Sequence, residues 1–123
     1  MDSNTVTLLD SGMGRTLGLK GVEICETIWS ANALIVAPDV VKEIHHENIE
    51  AGAQVITTNS YGVILADLAK RGIENQYDFL NKLAGQLAAD AVKESGRQIE
   101  IAASLPPQNG SFRPDLVLDR AVI

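Results

Sequence analysis

Six consecutive residues, Asp10-Ser11-Gly12-Met13-Gly14-Arg15, set a carboxylate beside two glycines directly after a short apolar run. A carboxylate so placed could hold an ammonium group, and glycines let a backbone approach a ligand closely. The same residues also describe a plain turn in which Gly12 or Gly14 takes a positive φ, and spacing leaves both readings open. The pattern is not a dinucleotide fingerprint, because a long irregular loop, not a helix, is expected to follow it. A second cluster, Thr57-Thr58-Asn59-Ser60-Tyr61, offers four hydrogen-bonding side chains and one aromatic wall. Asn and Ser are equally common in strand-end turns, so this cluster alone is weak. In the third, Ala103-Ser104-Leu105-Pro106-Pro107, paired prolines end a strand and stiffen the loop after it.

Zinc chemistry needs three or four Cys, His or carboxylate ligands. The candidates are Cys25, His45 and His46. Adjacent histidines on a helix point about 100° apart, so the two do not share a face. One is expected in the core and the other in solvent. No metal site is assigned. Cys25 has no base beside it in sequence, and no residue is assigned a catalytic role.

Three short apolar or β-branched runs read as buried strands that must carry these clusters: residues 5–9, 54–58 and 99–103. Between them lie two clear helices. One begins at Pro38, with Asp39 in its first turn, and sets Val41, Ile44, His45, Asn48 and Ile49 on one face before Gly52 stops it. The other runs from about Tyr77 to Ser95, with Leu80, Leu83, Ala84, Leu87, Ala88, Ala91 and Val92 on one face and Gly96 beyond. A shorter helix is expected from Val63 to Lys70, and Pro114 to Ile123 reads as the start of another. Strands alternating with helices define an α/β chain with a parallel sheet. One domain spans residues 1–123, and each cluster falls at the carboxyl end of a strand, where such sheets bind ligands.

The 123 residues are 46% hydrophobic and 21% charged, the balance of a globular domain, with aromatics at only 4%. A net charge of -6 argues against nucleic acid, whose backbone needs a basic face. No run is long enough to span a bilayer, the first residues lack a secretory pattern, and the single cysteine cannot form an internal disulfide. A cytoplasmic setting is expected, with no membrane partner.

The clusters together resemble the homocysteine S-methyltransferase family. The matching pieces are Leu8-Leu9-Asp10-Ser11-Gly12-Met13-Gly14, Trp29-Ser30-Ala31, Pro38-Asp39-Val40-Val41 and Ile44-His45. They continue through Ala51-Gly52-Ala53-Gln54-Val55-Ile56-Thr57-Thr58-Asn59-Ser60-Tyr61, Ser104-Leu105-Pro106-Pro107 and Phe112-Arg113-Pro114-Asp115. The resemblance implies a (β/α)8 barrel that moves a methyl group from a sulfonium, ammonium or folate donor to the homocysteine thiol. Zinc on three cysteines would hold that sulfur as a thiolate, a better nucleophile than the thiol. By the resemblance, Asp10, Gly12, Trp29, Thr58 and Asn59 are substrate-binding residues.

Departures accompany the matches. Ser11 stands where the family usually has the first of two glycines, Thr16 where it commonly has Glu, and Asn48 where it usually has Tyr. The family's zinc cysteines belong to later strands, and Cys25 matches none of them. The chain is therefore expected to be a truncated homolog holding the first three β/α units, inactive by itself and without a cofactor of its own. It would keep part of an amino-acid pocket, with a small amino acid as a weak ligand. Open sheet edges predict a homo-oligomer, most simply a dimer. Two alternatives are an active methyltransferase with a metal site assembled across subunits and a non-catalytic assembly module.

Overall fold

The structure is a computed structural model that describes residues 4–109 and 111–119. Its framework follows from two long amphipathic helices. Helix α3 (Pro38–Glu50) starts with Pro38 in its first turn and Asp39 at its positive end, and it buries Val41, Ile44, His45 and Ile49. Gly52 ends that stretch at φ 108, a conformation that favours glycine. Helix α5 (Tyr77–Ser95) buries Leu80, Ala84, Leu87, Ala88 and Ala91, with Leu83 and Val92 packed at the margins. It stops at Gly96, whose φ of 68 gives the left-handed cap. The two helices lie side by side, and small residues on α5 let them approach closely.

Strands β1 (Val55–Thr57) and β2 (Glu100–Ala102) pair in parallel, with Val55 opposite Glu100, Ile56 opposite Ile101 and Thr57 opposite Ala102. Ile56 is fully buried against Ile49, Ala53, Ala88 and Ala91, so α3 and α5 cover one face of the sheet. On the other edge of β1, Leu9 makes a parallel bridge to Val55. Gln54 N donates to Leu8 O at 2.8 Å, and Asp10 N to Val55 O at 3.1 Å. The order across the layer is thus N-terminal segment, β1, β2, which puts consecutive segments side by side. A second core, around Leu17, Ile28, Leu34, Ile44, Leu68 and Leu80, joins the loops to α3 and α5.

Several expectations need correction. Residues 5–9 do not form a regular buried strand: only Leu9 makes the bridge, and Val6, Leu8 and Leu9 are exposed. The bonds to β1 come at Leu8, Leu9 and Asp10, at the end of the run rather than along its length. β2 is paired but also exposed, with Ile101 at 41%, because among the described strands it has a neighbour on one side alone. The loop expected after the glycine turn begins instead with helix α1 (Met13–Leu19), and helix α2 (Asn32–Val36) precedes α3. With Gly14 and Gly18 inside it, α1 has poor intrinsic propensity; burial of Leu17 and the Thr16 hydroxyl on Gly12 O at 3.1 Å hold it. Helix α4 is Leu65–Lys70, starting later than Val63 because Val63 and Ile64 are buried loop anchors. The segment from Pro114 makes only a 3-10 turn, Pro114–Leu116; residues 117–119 follow without helix, and 120–123 lie outside the described residues.

Candidate functional site

The polar clusters converge at the carboxyl end of the three parallel segments. Asp10 leaves the N-terminal segment beside β1, and its carboxylate is tied down twice. Thr57 N donates to Oδ2 at 2.8 Å and the Thr57 hydroxyl to Oδ1 at 3.1 Å. Two donors fix the carboxylate's orientation while leaving lone pairs on both oxygens. It borders a hollow of about 350 Å³ lined by Ser11, Gly12, Gly14, Ser30, Thr58 and Asn59, among others.

The glycines of that rim are not there for backbone reasons. Gly12 has φ -66 and Gly14 lies inside α1, so the positive φ that a plain turn would need is absent at both. A Cβ built on Gly12 would meet nothing within 4 Å, and one on Gly14 would make only ordinary contact with Ser30. What glycine provides here is open space over the backbone beside a carboxylate.

Thr58 and Asn59 are buried and serve as stitches as well as lining. The Thr58 hydroxyl accepts from Ser104 N at 3.1 Å and shares a 2.8 Å hydrogen bond with Ser60 Oγ. Ser60 Oγ donates to Ser104 O at 2.9 Å, closing a ring that locks the ends of β1 and β2 together. Asn59 Nδ2 donates to Ser30 O at 2.9 Å and pins the loop after β1 to the loop before α2. Trp29 lies apart from these four. It lines a neighbouring hollow of about 410 Å³ with Glu26, Asp67, Phe112 and Tyr61. Tyr61 borders both hollows. Trp29 has φ 53, an unfavourable conformation for a bulky residue, and its ring is half exposed.

Three contributions were not read from the sequence. Gly62 passes so close to the preceding loop that a Cβ would lie 2.0 Å from Ile28 O; its place after the Asn59-Ser60-Tyr61 turn was the available signal. Ser30 supplies a carbonyl anchor. Arg71, distant in sequence, donates from Nη1 to Cys25 Sγ. The Cys25 thiol is held below its ordinary pKa, chiefly by a hydrogen bond from the Ile28 backbone, with Thr27 and Arg71 adding to it against desolvation.

The metal-ligating side chains lie apart from one another. His45 is fully buried with neither ring nitrogen hydrogen-bonded, while His46 Nε2 lies 2.6 Å from Glu94 Oε2 at the surface. Among the described residues, no three of His, Cys, Asp and Glu come together. One thiol facing a guanidinium does not fit a zinc cage. Also among the described residues, no helix is long and apolar enough to cross a membrane.

Polar side chains gathered at the carboxyl ends of parallel strands mark the ligand-binding end of an α/β protein. A family model for homocysteine S-methyltransferases matches residues 7–119, and the chain belongs to that family. It is 34% identical over 74 residues to the homocysteine S-methyltransferase of Escherichia coli, covering 60% of this chain and 24% of that protein. With homocysteine S-methyltransferase 1 of Arabidopsis thaliana the identity is 35% over 86 residues, covering 68% and 26%. The solved structure of the homocysteine methyltransferase MmuM from Escherichia coli, in its metallated form, superposes with a TM-score of 0.79 at 29% identity. That match covers 94% of this chain and 45% of that one. The chain thus spans about a quarter of the length of these curated relatives.

Proposed function

We propose that these 123 residues form the first three β/α units of an eight-unit barrel and supply the amino-acid half of a homocysteine pocket. The observation that carries this is the Asp10 carboxylate, oriented by Thr57 at the rim of an open hollow floored by glycine backbone. The ammonium group of homocysteine would pair with Asp10. Gly12 would let its backbone lie close, and Thr58 and Asn59 would hold the far wall in place. Trp29 and Tyr61 would face the remainder of the ligand from the adjoining hollow.

Methyl transfer needs more than this. When bound, zinc would supply a thiolate at the homocysteine sulfur. The donors in these residues do not fit it, so the activating cysteines are assigned to the family's later strands. On that reading the 123-residue chain binds an amino acid without transferring a methyl group. The far edge of β2, with which no described segment pairs, supports self-association, most simply a dimer. Calorimetry with L-homocysteine tests the half-site: wild type binds weakly and Asp10→Ala abolishes the heat. Equal affinity of the two proteins would remove Asp10 from the site. Elemental analysis tests the rest, since stoichiometric zinc in protein purified without chelator would overturn the non-catalytic reading.

A further inference from the structure

Ser11 and Asn48 lie 37 residues apart in sequence and touch. Ser11 N donates to Asn48 Oδ1 at 3.1 Å, and Ser11 Oγ donates to the same oxygen at 2.9 Å. The amide's orientation is not arbitrary. Asn48 Nδ2 donates to Ile44 O at 3.0 Å, so the acceptor end must face Ser11. Asn48 sits on α3, which is anchored by its buried neighbours Ile44, His45 and Ile49. The loop residue next to Asp10 is therefore held to a rigid helix while Asp10 itself is held to Thr57. An alanine at position 11 could keep only the backbone bond, and an alanine at 48 would keep neither.

We infer that Ser11 and Asn48 act as one clamp that positions the Asp10 turn, and that Ser11 is a specificity-determining residue of the amino-acid pocket. The Ser11 hydroxyl gives its proton to Asn48, so its oxygen keeps acceptor capacity, and Ser11 lines the hollow beside Asp10. An ammonium group, with three donors, then finds a neutral acceptor next to the carboxylate that a glycine would not provide. This second part rests on the homocysteine half-site reading; the clamp does not.

The experiment is a cycle of Ser11→Ala, Asn48→Ala and the double variant, read by amide hydrogen exchange at Ser11 and Gly12 and by L-homocysteine calorimetry. Loss of one turn hydrogen bond should speed exchange by about three- to tenfold in Ser11→Ala. Asn48→Ala, which loses both bonds, should exceed it, and the double variant should match Asn48→Ala. Asn48→Asp keeps the acceptor and gives up the bond to Ile44 O, so it should retain exchange protection at Ser11 even as overall stability falls. Additive effects, or unchanged exchange in Asn48→Ala, would overturn the clamp. Homocysteine affinity should drop several-fold in Ser11→Ala, and unchanged affinity would overturn Ser11's role in specificity. If wild type binds no homocysteine, the half-site reading and Ser11's role in it fall together, and the exchange cycle still decides the clamp.

Discussion

At the residue scale, glycine plays three different parts in this chain, and only one is visible from sequence. Gly52 and Gly96 have positive φ, and their positions after helical runs announce them as stops. Gly12 and Gly14 leave space, whereas at Gly62 two loops meet, and these roles depend on neighbours that sequence order does not reveal. The contrast gives a prediction. In Gly62→Ala the new methyl would meet a backbone oxygen, Ile28 O at 2.0 Å, and no rotamer relieves that contact. Destabilisation of about 3 kcal/mol, the upper range for overpacking, should appear as a lowered urea midpoint. Gly14→Ala meets Ser30 Cβ at 3.8 Å and gains helix propensity, so it should be neutral or stabilising by up to about 1 kcal/mol. Equal stability of Gly62→Ala and wild type would show that the two loops do not pack as described. For Asp10 the sequence left a turn and a ligand contact both open; its partner Thr57 lay in another recognised cluster, but that the two would bond depends on the pairing of distant segments.

At the scale of elements, the long helices could be read from their period because α3 and α5 each bury one stripe over three or more turns. Helices α1 and α2 could not, since seven and five residues are too few for a period and packing rather than propensity forms them. The same split runs through the adjacent histidines on α3. Their angular offset predicts one inside and one outside, but not that the inner ring would lack any hydrogen-bond partner. Burial lowers the pKa of His45; the Asp10 carboxylate opposes this and His46 reinforces it. The native state therefore holds His45 neutral at a pH where the unfolded chain, titrating near about 6.5, already binds a proton. Where the unfolded state binds more protons, stability rises with pH. Stability should thus be fully present above about 6.5 and fall as the pH drops through that value toward the lower native pKa. The surface pair works in another window. Glu94 is held below its ordinary pKa by His46 and then Lys42, and it loses that contribution only at more acidic pH. Urea midpoints at pH 7.5 and 5.5 check this. Wild type should be weaker at 5.5, and His45→Leu should lose most of the difference. An unchanged pH slope in that variant would assign the effect to another group.

For the whole molecule, the arrangement most open to challenge is the flank of the layer at β2. The N-terminal segment is bonded to β1 on one side, β2 is bonded to β1 on one side, and no described segment pairs with the far edge of β2. Leu9, at 62% exposed, and Ile101, at 41%, lie on these opposite flanks with Val6 and Leu8. Unpaired edges beside exposed apolar side chains favour association, because pairing removes both costs together. Since β2 is a parallel strand whose far edge no described segment pairs with, a second copy can extend the sheet from there. The chain at micromolar concentration should therefore scatter light as a dimer or larger closed assembly. Replacing Leu9 and Ile101 together with Lys should return it to a monomer with an unchanged circular dichroism spectrum, because neither side chain belongs to the buried core. A monodisperse wild-type monomer would sink the proposal. An assembly that survives both lysines would move the contact elsewhere, most directly to the apolar groove that Leu105, Pro106, Leu116 and Val117 form beside Tyr77 on α5.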